Sequence, residues 1–331
     1  VARSASAHIA DTARAGWLDP GVLWLLASAA GFGAMAIFGK LAYSGGLTVP
    51  TLLAVRFSLA AVVLWALVAV RRLSPWVTRR QLAGLLLMGA LGYVGQAFSF
   101  FTALQTIPAA TTGLLLYTYP ALVSVLAWLL LKHPFTRASG GALGLASAGC
   151  VLVLGGPAAL LGQGSLDPAG VAWALAAAII YSLYIIAGTP ITAGVPPLVA
   201  ATYIISAAAA VFGGAGLATG RLDWRVTPGG WAAVIAIALV CTVLPVAAFV
   251  TGLARLGPAR ASILSTVEPA VTLILAALVL GETIGPGQIL GAALILGAIV
   301  VLQWPLASPR AGARAGAGTG QGSEGRGRGS G

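Results

Sequence analysis

Glu268 is an acidic side chain near the middle of a long apolar run, and Pro269 follows it directly. Carrying a carboxylate into hydrocarbon costs roughly 2.5–3.5 kcal/mol on insertion scales, so such a residue marks a binding or proton-handling position. Tyr119-Pro120 stands 149 positions earlier in an equally apolar run. Proline has no N–H, so Pro269 leaves the carbonyl of Ser265 without its helical donor, and Pro120 does the same to Leu116. Ser265 and Thr266 stand beside Glu268, and Tyr117, Thr118 and Tyr119 crowd the earlier proline. Two kinked helices at matching depth would offer these groups to one cavity. The chemistry suits a substrate or a proton held by Glu268. The alternative is a structural carboxylate paired to a neighbouring helix. Loss of water favours the neutral form of a carboxyl group, so Glu268 is expected to carry a proton for part of a working cycle. Its ionised form would suit a substrate amine.

Other polar side chains fall within the apolar runs. Trp173, Tyr181 and Tyr184 are spaced by 8 and 11 residues, which places them on one helical face. Trp173, like Trp24, reads as an interfacial anchor. Tyr181 and Tyr184 lie deeper and suit an aromatic cavity wall, against a lipid-facing or packing role. Tyr93, Gln96 and Ser99 share another run, and Gln96 stands 149 positions before Pro245. Lys40 and Arg56 are basic residues inside spans. They read as side chains that snorkel to the interface, or as gating or structural charges that meet an anion or a carboxylate. Gly140, Gly141, Gly144, Gly287, Gly291 and Gly297 read as close-packing positions.

The elements that position these residues follow from composition. The 331-residue chain is 59% hydrophobic and 8% charged, where a soluble domain carries about 25% charged residues. This is an all-α integral membrane protein. A ruler of about twenty apolar residues per crossing gives ten spans, at about residues 22–43, 50–70, 81–104, 109–131, 138–156, 169–188, 197–219, 229–254, 259–281 and 286–304. Residues 1–20 form a polar lead, and the first span reads as a retained helix rather than a signal peptide. Residues 306–331, rich in Gly and Arg, cannot bury a core and are expected to be a disordered tail. Cys150 and Cys241 read as small apolar helix residues, with no metal site implied.

The net charge of +11 does not point to nucleic acid, because the basic residues sit between apolar runs. With the N-terminus in the cytoplasm, fourteen of the 18 Lys and Arg fall inside and only Arg221 and Arg225 outside. That asymmetry satisfies the positive-inside rule and places both termini in the cytoplasm.

The chain also repeats. Gly21-Val22-Leu23-Trp24 opens span 1 and Gly170-Val171-Ala172-Trp173 opens span 6, again 149 positions on. The same offset aligns Thr102 with Thr251, Pro120 with Pro269 and Ala121 with Ala270. Residues 21–156 and 169–305 thus read as two five-span repeats. Five is odd, so the second repeat is inverted relative to the first, an architecture suited to alternating access.

Ser265-Thr266-Val267-Glu268-Pro269-Ala270, continuing to Leu280-Gly281-Glu282, resembles the second repeat of the EamA-type transporters of the drug/metabolite transporter superfamily. Gly39-Lys40 and Arg56 resemble the first repeat. The resemblance implies a ten-helix carrier of a bacterial-type inner membrane, an exporter of amino acids or other small metabolites. The chain departs from the family at Lys132-His133, where the first repeat usually carries Gly-Glu, so Glu282 has no partner in sequence.

The expected function is therefore secondary transport, without a cofactor, driven by a proton gradient, with a small-molecule substrate and the lipid bilayer as partners. The chain is expected to act as a monomer or homodimer. A lipid-linked substrate flippase is the alternative within transport. A channel would better suit a symmetric ring of filter groups. An enzyme would need a nucleophile with a base, paired acids or metal ligands inside the membrane, and no histidine lies in a span core. The residues do not specify the substrate or the direction of transport.

Overall fold

The computed structural model describes residues 19–132, 134–156 and 166–307. The lead to residue 18, His133 and the tail from residue 308 lie outside the described residues. Every regular element among the described residues is helical. The helices are α1 (Pro20–Ser44), α2 (Val49–Val70), α3 (Arg79–Thr106), α4 (Ala109–Leu131), α5 (Arg137–Val153), α6 (Pro168–Thr192), α7 (Pro197–Thr219), α8 (Pro228–Gly257), α9 (Arg260–Leu280) and α10 (Pro286–Leu302).

Eight of these are long and apolar enough to cross a membrane. The other two, α5 and α10, are apolar helices as well. The run expected to continue to residue 156 stops earlier, because Gly155 and Gly156 take φ of 110° and 83°, which a helix cannot accommodate. The helix starts are set by side-chain caps. Asp19, Thr48, Thr78, Asp167 and Thr227 each accept a bond from a first-turn N–H. Proline in the first turn follows four of them, where its missing N–H costs nothing.

Packing between the halves is reciprocal. α1 lies along α8 and α6 along α3; α2 pairs with α7, α4 with α9 and α5 with α10. Advancing every helix by five places reproduces the same set of pairs. The main core lies where α2 meets α7 and α8, around Leu52, Phe57, Leu64, Ile205 and Ile237.

The glycine expectation holds in part. A Cβ on Gly149 would meet the Gly291 carbonyl at 2.6 Å, and the reverse contact is also 2.6 Å, so the α5–α10 pair touches through backbone there. Gly141, Gly144 and Gly297 have nothing within 4 Å and are not close-packing positions.

Several helices are interrupted. α4 breaks at Tyr117–Thr118 and resumes at Tyr119, ahead of Pro120. α9 breaks at Thr266–Val267 and resumes at Glu268, ahead of Pro269. α3 and α8 widen into π-helical turns over Met88–Tyr93 and Leu239–Val243, the second just before Pro245. α1 breaks at Ala34 without a proline. There the Gly33 carbonyl accepts from Thr272 Oγ1 of α9 at 2.8 Å. A side chain inserted into the hydrogen-bond ladder accounts for the bend.

Candidate functional site

The breaks in α4 and α9 face each other. Tyr117 Oη donates to Glu268 Oε2 at 2.9 Å. Glu268 is the first residue of its half-helix, where a carboxylate meets the positive end of the helix dipole. Gly33 of α1 fits against this turn so closely that a Cβ would sit 2.7 Å from the Glu268 carbonyl and 2.9 Å from Val271 Cβ. Glu268 is therefore held at two points, its carboxylate by a phenol and its backbone by a glycine seat.

A row of phenols leads away from it. The Tyr119 ring stands edge-on to Tyr181 at 4.8 Å between centroids, Tyr181 stacks on Tyr184 at 5.9 Å, and Tyr184 lies 6.1 Å from Tyr93. Glu268, Tyr117, Tyr119, Tyr181, Tyr184, Tyr93 and Gln96 are each only half-buried. Gly92 makes room for the row, since a Cβ there would meet the Tyr184 ring at 2.9 Å. Ser182 of α6 stands against the α4 break, its hydroxyl donating to Ala178 O of its own helix at 2.7 Å with the Tyr119 carbonyl at 3.2 Å. Ser265 does not join this cluster by its hydroxyl, which donates to its own helix at Ala261 O over 3.0 Å.

Arg56 does not snorkel. It is 2% exposed, and its Nε donates to Thr242 Oγ1 at 3.0 Å. The guanidinium carbon lies 4.7 Å from the Phe57 ring centroid and 5.3 Å from that of Phe101, within cation–π range. The Tyr93 hydroxyl is beside it. Tyr93 and Thr242 lie in the wide turns of α3 and α8 and stand 149 positions apart, so equivalent positions of the two halves close on one cation. Nothing in the sequence showed this, because the two turns are not marked by residue type. Lys40 is half-buried near the end of α1, and the charge that acts on it is that of Glu282.

Glu282 is a functional candidate that sequence reasoning missed. Its carboxylate accepts from Ala109 N at 2.6 Å and Ala110 N at 3.0 Å. Its partners are backbone groups, which leave no signature in side-chain types. No group of three or more His, Cys, Asp and Glu that could hold a metal ion occurs among the described residues. Two crevices lie away from Glu268. One, of about 270 Å³, lies beside the α4 break and is lined by Thr118, Leu122, Leu143, Cys150 and Ile179. The other, of about 550 Å³, lies between α1 and α8 at Phe38, Gly45 and Gly230. Both are mainly apolar.

The EamA-like transporter family matches this chain twice, over residues 19–155 and 168–304. The chain belongs to that family. The two matched copies begin 149 positions apart, the offset that relates Tyr119 to Glu268. It is 28% identical over 254 residues to the threonine/homoserine exporter RhtA of Escherichia coli (strain K12), covering 73% of this chain and 77% of that protein. It is 25% identical over 223 residues to the uncharacterized transporter sll1319 of Synechocystis sp., covering 64% of each. The match thus spans just under two thirds of the Synechocystis protein. One solved crystal structure shares the fold, with a TM-score of 0.62 at 22% identity over 87% of this chain and 99% of that one. The protein is a multi-pass membrane protein of a transporter family.

Proposed function

We propose that this chain is a secondary active exporter of small metabolites bearing an amine, with amino acids as the substrate class. It works by alternating access around Glu268. The observation that carries the proposal is the bond from Tyr117 to Glu268, which joins the broken helices of the two halves at one carboxylate. A carboxylate ringed by phenols is a receptor for an ammonium group, through ion pairing and through the aromatic faces. The same carboxylate can exchange that cation for a proton, which supplies coupling to a proton gradient. The export of threonine and homoserine for which the Escherichia coli relative is named supports an amino acid as cargo.

In this reading all ten helices cross the membrane, residues 21–156 and 169–305 are inverted repeats, and both termini face the cytoplasm of a bacterial-type cell. The reciprocal helix pairs support a two-fold relation between the repeats, which five spans per repeat would make an inversion, and the basic residues between spans support the orientation. The half-helices from Tyr119 and from Glu268 then begin near the midplane and run toward opposite faces. A comparison of metabolites retained by cells with and without the gene tests the function. Cells carrying the gene are expected to retain less of one or more amino acids. Equal amino acid pools in the two strains would oppose the proposal.

The crevice beside the α4 break supports a second reading, entry of a lipid-linked substrate from the side. In that case the depleted compound is lipid-linked rather than a free amino acid.

A further inference from the structure

Glu282 lies apart from the site around Glu268, and its bonds are made to a different helix. Gly281 ends α9 in the left-handed conformation, with φ 65°, and turns Glu282 toward the start of α4. The first N–H groups of a helix have no partner within it, and here two of them are taken by one carboxylate. Hydrogen bonds to an ionised acceptor are roughly twice as strong as neutral ones, and the helix dipole adds to them. Gln288 of α10 also reaches α4, donating to Thr111 Oγ1 at 3.3 Å.

α4 and α9 are also the two helices joined at their breaks by Tyr117 and Glu268. They are thus tied at two levels, in the middle and at this end. We propose that Glu282 is the latch that closes the outer end of the transport path. α4 and α9 part there only when the carboxylate releases Ala109 and Ala110, and in the structure both bonds are made. The proposal rests on the alternating-access reading above. Position 133, which matches Glu282 in the first half by the 149-residue offset, is histidine. The first half thus carries no carboxylate at the matching position.

Ala276 reports on the latch. It is 0% exposed and lies on α9 between Glu268 and Glu282. The experiment uses the full chain with Ala276→Cys, Cys150→Ser and Cys241→Ser, in intact cells and in inverted membrane vesicles. Labelling by a membrane-impermeant thiol reagent is timed from each face. Glu282→Gln keeps the shape but removes the charge and one acceptor, and is expected to speed labelling from outside about tenfold without speeding it from inside. If Glu282→Gln does not accumulate, Ala109→Pro removes one donor at a first-turn position that tolerates proline and leaves the carboxylate untouched. The same outside-only acceleration is expected from it. An unchanged outside rate in the variant that accumulates, or equal acceleration from both faces, overturns the latch. Labelling needs neither substrate nor a working Glu268, so the failure of the proposed transport function would be read separately, in the metabolite comparison.

Discussion

Tyr117 on α4 donates its phenol hydrogen to Glu268 on α9 across 2.9 Å, and each residue stands at the break of its own helix. One bond thereby couples two interrupted helices, one from each matched copy of the family. In the proposed function, a cation entering the site would compete with this phenol for the carboxylate, and the bond would carry occupancy of the site to both helices.

Tyr117→Phe removes the donor and keeps the ring. A hydrogen bond to a charged group contributes about 1.5–3 kcal/mol, so the variant is expected to lose at least about tenfold in transport rate at unchanged membrane abundance. Initial efflux rates normalised to protein level check this. A wild-type rate would show that the phenol is not part of the cycle.

Arg56 is buried against Thr242 and two aromatic rings, with no carboxylate within ion-pair distance among the described residues. Burying a charge without a counter-charge costs several kcal/mol. Arg56→Met, of similar volume, is therefore expected to leave the thermal unfolding midpoint unchanged or raised, and to depress transport. Thermal unfolding in detergent beside an efflux assay reads both. A large fall in the midpoint would show that the cation is needed for folding alone.

Gly33→Ala is expected to be harmful and Gly141→Ala silent. The first Cβ would strike the Glu268 carbonyl and Val271, while the second meets nothing within 4 Å. Overpacking of this kind costs about 1–3 kcal/mol. A thermal unfolding comparison of the two variants measures the contrast, and equal midpoints would count against the seat that Gly33 makes for Glu268.

Asp167 caps α6 in the loop before it. The Thr106 hydroxyl, and then the Ala169 and Gly170 N–H groups, hold its carboxyl below the usual aspartate range. A lowered value in the folded state means that the cap stabilises the fold above the ordinary aspartate value. That contribution fades as pH falls through the lowered value. Asp167→Ala is expected to flatten this acid limb of the stability curve, measured as thermal unfolding against pH. An unchanged acid limb would place the sensitivity elsewhere.

The helical class and the family were legible from apolar runs and short motifs, because length and hydropathy alone mark a crossing helix. Glu268 and the row of tyrosines stood out because polar groups are costly in apolar runs. Three features were hidden. The α1 break has no proline and is made by Thr272 from another helix. The burial of Arg56 depends on wide turns in α3 and α8 that no residue type announces. The Glu282 contact is made to backbone N–H groups, which every residue but proline carries. Each depends on which helices meet, and periodicity does not report that. The apolar run also overstated the end of α5, since Gly155 and Gly156 end the helix without interrupting its apolar pattern.

The central claim is that Glu268 holds the coupling proton and the substrate cation in turn. Threonine is the probe, and the measurement is its efflux from proteoliposomes under an imposed proton gradient, for the wild type and for Glu268→Gln. The wild type is expected to respond to the gradient, and Glu268→Gln to lose both the response and most of the efflux. Efflux by Glu268→Gln at the wild-type rate, with the same dependence on the gradient, would contradict the account.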